Sequence, residues 1–278
     1  MRPSNHGFTL VELSIVLAII GLLAGGIMVG RNMLRNAELR AVTSEYNSLV
    51  AAIDTFRDKY LALPGDMPNA HTYWGARDGN DGYGNDCRLE TTPTATCSGN
   101  GNGSITGYDG VDPDNTSYSY ENYLMWDHLS KAGLIEGTYS GIGASLSMTI
   151  CVNSLGSVPG CNVPPSKLRN GMWQVVDYKT LTGHSYLFDG VYNHTLFLSR
   201  GPGWISPLNG MIQPEEAWAI DTKIDDGRPA SGFMVISRWN GCAESPVSTA
   251  DPGTNTYRTN LPGWAADTVC VPVFRTLF

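Results

Sequence analysis

Apolar positions are continuous at the start of the chain, then recur every three or four residues, and then lose any long period. Residues 13–30 contain no charged side chain. Residues 8–30 as an α-helix would be about 35 Å long, enough to cross a hydrocarbon layer of about 30 Å. From residue 31 the pattern turns amphipathic. Leu39, Val42, Tyr46, Leu49, Ile53, Phe56 and Tyr60 fall at steps of three and four, with Arg35, Glu38, Arg40, Glu45, Asp54, Arg57, Asp58 and Lys59 largely between them. One helical face is therefore predicted to pack on a domain while the other meets solvent or a neighbour. Pro64-Gly65 stops it. Residues 8–60 read as one helix about 80 Å long, far longer than a globular domain needs.

Beyond it the elements shorten. Residues 75–110 are crowded with Gly, Asn and Asp and read as a long loop with tight turns. A short helix is predicted at 121–135 and another at 214–220, where Pro214 occupies the first turn and Glu215 and Glu216 lie at the positive end. Strands are predicted at 146–152, 173–178, 195–199, 233–239 and 268–274. The fold class is α+β: one long N-terminal helix packed on an antiparallel sheet, with long loops and disulfides.

Composition narrows the reading. The 278 residues are 42% hydrophobic and 16% charged, which excludes a disordered, collagen-like or polytopic membrane chain. The net charge is -8, and residues 61–278 alone carry -9, with 12 Lys plus Arg against 21 Asp plus Glu. No nucleic-acid partner is expected of such a surface.

Cys87, Cys97, Cys151, Cys161, Cys242 and Cys270 are even in number and include no C-x-x-C pair, so disulfides in an oxidising periplasm or exterior are expected rather than a zinc or thioredoxin-type site. Six cysteines permit 15 pairings. Sequential pairing, 87 with 97, 151 with 161 and 242 with 270, would close two short loops and one longer one.

An ordinary signal peptide places a basic start and a short apolar stretch before a small-residue cleavage site; such a segment would here be cut near Ala24 and leave a secreted binding protein. The order is different. A polar leader, Met1 to Gly7, runs directly into Phe8-Thr9-Leu10-Val11-Glu12-Leu13 and the apolar helix. This resembles the type IV pilin and type II secretion pseudopilin superfamily. The resemblance implies cleavage between Gly7 and Phe8 by a prepilin peptidase, N-methylation of Phe8, and an assembly role for Glu12. A carboxylate within an apolar helix needs a partner, and the implied one is the Phe8 amine of a neighbouring subunit. The expected divisions are a leader at 1–7, a long helix at 8–62 (8–30 in the membrane or filament core, 31–62 amphipathic) and a globular domain at 63–278.

The same resemblance implies a structural, non-enzymatic subunit of a pilus or pseudopilus. It would be held in the bacterial inner membrane before assembly, built by an inner-membrane assembly platform into a homo- or hetero-polymer with other pilins, and then be periplasmic or extracellular. Segments 60–69, 126–135, 163–167 and 219–229 resemble a group of large bacterial pilin-like proteins. Gly21, Gly25, Gly26 and Gly30 suit either close helix packing or a stretch that unwinds on assembly. Many pilins carry a proline where this chain has Val29.

No G-x-S-x-G, H-E-x-x-H or phosphate-binding loop occurs, and His71, His128, His184 and His194 read as structural. Two acidic clusters are candidate calcium sites, since carboxylates and amides in loops suit a hard cation: Asp221, Asp225 and Asp226, and Asp78, Asn80, Asp81, Asn85 and Asp86. Solvated turns and helix capping compete for both. Among Trp74, Trp126, Trp173, Trp204, Trp218, Trp239 and Trp264, an exposed group would favour an adhesin or binding module carried on a pilin-like stem.

Overall fold

The structure is a computed structural model that describes residues 9–76, 95–105, 121–142, 157–184, 186–201, 210–237, 241–244, 252–259 and 269–276. Helix α1 spans Leu10–Tyr60, matching the predicted length to within two residues at either end. It stops because Leu61 takes a left-handed conformation (φ 54°) and donates its N–H to Arg57 O, three residues before Pro64. α2 (His71–Trp74) and α3 (Glu121–Lys131) follow, then strands β1 (Gly171–Asp177), β2 (Thr180–Leu181), β3 (Gly190–Val191) and β4 (His194–Arg200). Helix α4 (Pro214–Ile224) and strands β5 (Met234–Ile236) and β6 (Pro272–Arg275) complete the order. The strand predicted at 146–152 lies outside the described residues.

β1, β4, β6 and β5 form, in that spatial order, a four-stranded antiparallel sheet, with Trp173 opposite Leu198 and Phe197 opposite Val273. Side chains alternate across it. Trp173, Val175, Leu196, Leu198, Met234, Ile236 and Phe274 belong to the main core with the inner face of α1. Val176, Phe197, Val235 and Val273 form a second cluster with Leu187 and Tyr192 on the other side. The predicted helical stripe is the one that packs: Val42, Tyr46, Leu49, Ile53 and Phe56 are buried, while Leu39 and Tyr60 sit at the margin. Tyr46 stacks on Phe274 at 4.7 Å.

Polar contacts fix the register of α1 on the sheet. Glu45 accepts from Ser166 Oγ (2.6 Å), Lys167 N (2.6 Å) and Trp173 Nε1 (3.0 Å). At the other end of the buried stripe, His128 is fully buried behind Phe56 and Trp74. Its Nδ1 accepts from Gly65 N and its Nε2 lies 2.9 Å from Cys97 O, so the neutral ring clasps two loops. Gly65 is required there: at φ 92°, an added Cβ would lie 2.4 Å from Glu121 O.

Cys242 and Cys270 are disulfide-bonded, as one of the sequential pairings requires. Cys97 and Cys161 are also disulfide-bonded; the partners that pairing assigns them, Cys87 and Cys151, lie outside the described residues.

Candidate functional site

The first turns of α1 are the site that the sequence singles out. Gly7 and Phe8 lie outside the described residues; Thr9 and Glu12 do not. Thr9 is the N-cap, with extended backbone (φ -78°, ψ 152°). Its Oγ1 accepts from Glu12 N at 3.2 Å, and Glu12 Oε2 accepts from Thr9 N at 2.8 Å, closing a reciprocal capping box. Thr9 Oγ1 also donates to the same carboxylate oxygen at 2.8 Å. Glu12 is thus held back against the helix start in a single chain, a second role that the assembly reading overlooked. The Thr-x-x-Glu spacing ahead of an apolar run carries that signal.

On both sides of Glu12 the helix presents a bare apolar surface. Leu10 is 86% exposed and Leu22 78%, and Leu13, Ile15, Val16, Leu17, Ile19, Ile20, Leu23, Ile27, Met28 and Val29 are all exposed. The helix is long and apolar enough to span a membrane, and none of its apolar window is buried against the domain. It runs unbroken through Gly21, Gly25, Gly26 and Gly30, where an added Cβ would meet nothing within 4 Å. A surface of this size is a lipid-facing or subunit-facing one in a stable protein.

Residues 2–28 match the family described as a prokaryotic N-terminal methylation motif. The N-terminal segment is a type IV pilin or pseudopilin prepilin-type signal. No curated protein and no solved structure matches the chain. A prepilin-type signal implies processing by a prepilin peptidase and polymerisation with pilins, and it points to a structural family rather than an enzymatic one. The long apolar helix laid on an antiparallel sheet, with the Cys242–Cys270 disulfide, is consistent with a pilin-like fold.

The acidic clusters fare differently from one another. Asp78, Asn80, Asp81, Asn85 and Asp86 lie outside the described residues. Asp221, Asp225 and Asp226 do converge, each offering a carboxylate oxygen within 4.8 Å of the others. Their surroundings are those of a structured helix end. Asp225 accepts from the backbone N–H groups of Asp226, Phe233 and Met234. Asp226 accepts from Arg228 N and Ser231 Oγ. The pair therefore joins the end of α4 to the start of β5.

Asp221 is buried, with Oδ2 accepting from Tyr257 at 2.7 Å and Oδ1 without a hydrogen-bond donor. Burial first, and then its hydrogen bond with Asp225, push its pKa up to about 9. Burial alone would raise Asp225 too, but contacts with Asp221 and the three N–H donors hold it below the usual carboxylate range.

The histidines weighed from sequence make hydrogen bonds within the fold. Nδ1 of His71 is 2.8 Å from Ser98 Oγ, Nδ1 of His184 accepts from Leu187 N, and Nε2 of His194 accepts from Ile105 N. Trp126 and Trp173 are buried, whereas Trp218 on α4 is 49% exposed. Trp204, Trp239 and Trp264 lie outside the described residues.

Proposed function

We propose that this chain is a structural subunit of a type IV pilus or pseudopilus-like filament. It enters the inner membrane through residues 8–30, is cut between Gly7 and Phe8 by a prepilin peptidase, is methylated at Phe8, and polymerises through α1. Glu12 pairs with the Phe8 amine of a neighbouring subunit. The reading is carried by one observation: an apolar half-helix headed by a prepilin-type signal stands exposed on all sides, while one face of the other half of the same helix is packed into the domain core. In lipid that surface is solvated by acyl chains; in a filament it is covered by other copies of α1 or by related pilins. The 271 residues that follow the leader make a large subunit, which suits a minor or decorated position.

Mass spectrometry of the protein from its native membrane tests this. The expected mature chain begins at N-methylated Phe8 and appears in sheared filaments. A mature chain beginning near Gly25 would overturn the proposal in favour of an ordinary secreted protein.

A further inference from the structure

Five asparagines precede a glycine in this chain, and three of those pairs, 100–101, 102–103 and 170–171, lie among the described residues. An asparagine followed by glycine is open to attack on its side chain by the next backbone nitrogen, because no Cβ hinders the approach. The three pairs differ in the acceptor that holds the attacking N–H. Gly101 N donates to Asp66 O at 2.9 Å and Gly171 N to Leu168 O at 2.8 Å, both neutral carbonyls. Gly103 N donates instead to the carboxylate of Asp66, 2.8 Å from Oδ2.

The electrophile is arranged as well. Asn102 Oδ1 accepts from Ser104 N at 2.8 Å, an Asx-turn that folds the side chain over the 102–103 peptide. The same N–H would stabilise the negative charge that builds on Oδ1 as Cγ becomes tetrahedral. Asn100 shares this turn, its Oδ1 accepting from Asn102 N at 2.9 Å, so it serves as a control that differs in the acceptor of the glycine N–H. Asn102 and Gly103 are exposed to water, whereas Asp66 is buried and receives a second bond from Asn102 N at 3.0 Å.

We propose that Asn102–Gly103 is a self-modification site, in which Asp66 acts as general base and takes the proton of Gly103 N as that nitrogen attacks Asn102 Cγ. The bond from Gly103 N to Cγ forms and the bond from Cγ to the side-chain nitrogen breaks. That nitrogen leaves as ammonia, with the proton returned by Asp66. Water then opens the succinimide at either carbonyl, leaving aspartate or isoaspartate at position 102. The product places a carboxylate beside that of Asp66, a like-charge pair, and the isoaspartyl form also lengthens the main chain. Residues 99–105 are pinned by Asp66, by the bond from Asn100 N to Glu121 Oε1 (3.0 Å) and by that from Ile105 N to His194 Nε2 (3.1 Å). They form one wall of a groove of about 970 Å³ opposite Leu61 and Leu63. Modification weakens the Asp66 pin and so loosens that wall.

The test ages the full chain in detergent micelles at neutral pH, folded or in urea, and follows aspartate and isoaspartate at each position by peptide mass spectrometry. In the folded chain Asn102 should convert roughly tenfold or more faster than Asn100 and Asn170, within what a positioned general base supplies. In urea, where the base is no longer held at Gly103, the three rates should converge. Asp66→Asn should remove the excess at Asn102. Equal rates at Asn100 and Asn102 in the folded chain overturn the proposal, as does an excess at Asn102 that persists in urea or in Asp66→Asn. Should Asp66→Asn fail to fold, the comparison of folded and urea-treated wild type decides by itself.

Discussion

Arg35 on α1 and Glu216 on α4 meet through two parallel hydrogen bonds, Nε to Oε1 at 2.6 Å and Nη2 to Oε2 at 2.7 Å. The same Oε2 accepts from Gln213 N at 2.9 Å, so one carboxylate caps α4 and ties it to the long helix just above its last exposed apolar turn. Glu216→Gln keeps an acceptor for the cap and loses the charge facing the fork. The expected cost is about 1–2 kcal/mol, read as a melting temperature lower by roughly 2–6 °C. Glu216→Ala should cost more, because the cap is lost as well. Equal melting temperatures for the wild type and both variants would show that the fork contributes nothing.

Glu45 makes the next link up the helix. Its carboxylate serves three donors, one of them the indole N–H of Trp173, a residue that is 1% exposed. Glu45→Ala leaves that N–H buried without a partner and is expected to cost about 2–4 kcal/mol. Glu45→Gln, which can accept through one oxygen only, should cost less. Denaturant unfolding followed by tryptophan fluorescence measures both, and the order of the two variants is the check.

The parts of this fold that were legible in the sequence are those decided locally. The spacing from Leu39 to Phe56 picks out the buried face of α1 because a helical period of 3.6 fixes which positions share a face. Pro214 and the two glutamates after it mark the start of α4 for similarly local reasons. Four of the five predicted strands were found but mis-bounded: β5 is limited to Met234–Ile236 by its pairing with β6, a constraint that resides in the partner. β2 and β3 are two residues each and escape any periodicity. At the candidate site, Glu12 was legible and its cap with Thr9 was legible in principle. The roles of Glu45 and Asp221 were not, since Trp173 and Tyr257 lie 128 and 36 residues away.

Asp221 gives a pH dependence with a definite sign. Its carboxyl titrates near 3.8 when unperturbed and at about 9 in the fold. The folded state therefore holds a proton that the unfolded chain releases, so this group's stabilisation is complete below about pH 4 and declines as pH rises through 9. Asp221→Asn can donate to Asp225 and accept from Tyr257 without a proton to lose. It should flatten the fall in melting temperature between neutral pH and pH 9 and raise stability there. If the trio instead holds calcium, the wild type will gain melting temperature with calcium and not with magnesium, and Asp221→Asn will abolish that gain.

The Cys242–Cys270 bond ties the loop after β5 to the chain just ahead of β6, closing a separation of 28 residues. Both sulfurs are buried in the main core. Replacing the pair by alanine should cost about 3–4 kcal/mol, mostly by freeing the unfolded chain. The measurement is thermal unfolding of the double variant against wild type under non-reducing conditions, and a loss below about 1 kcal/mol would show that core packing alone positions β6.

Capping and assembly make different demands on Glu12, and two substitutions separate them. The cap needs an acceptor within reach of Thr9 N, which a glutamine supplies; pairing with a neighbour's amine needs a negative charge. Glu12→Gln should therefore leave the helix start intact, with amide exchange at residues 10–13 unchanged, while incorporation into filaments falls by roughly tenfold or more because the buried amine loses its counter-charge. Thr9→Val does the reverse. It removes the hydroxyl that accepts from Glu12 N, loosening the first turn by about 1 kcal/mol, yet frees the carboxylate for a neighbour, so incorporation should be retained. Sheared filaments from the native host, probed for each variant beside its membrane pool, read the outcome. If Thr9→Val abolishes incorporation and Glu12→Gln does not, the carboxylate serves the helix start alone and the neighbour's amine is balanced by another group.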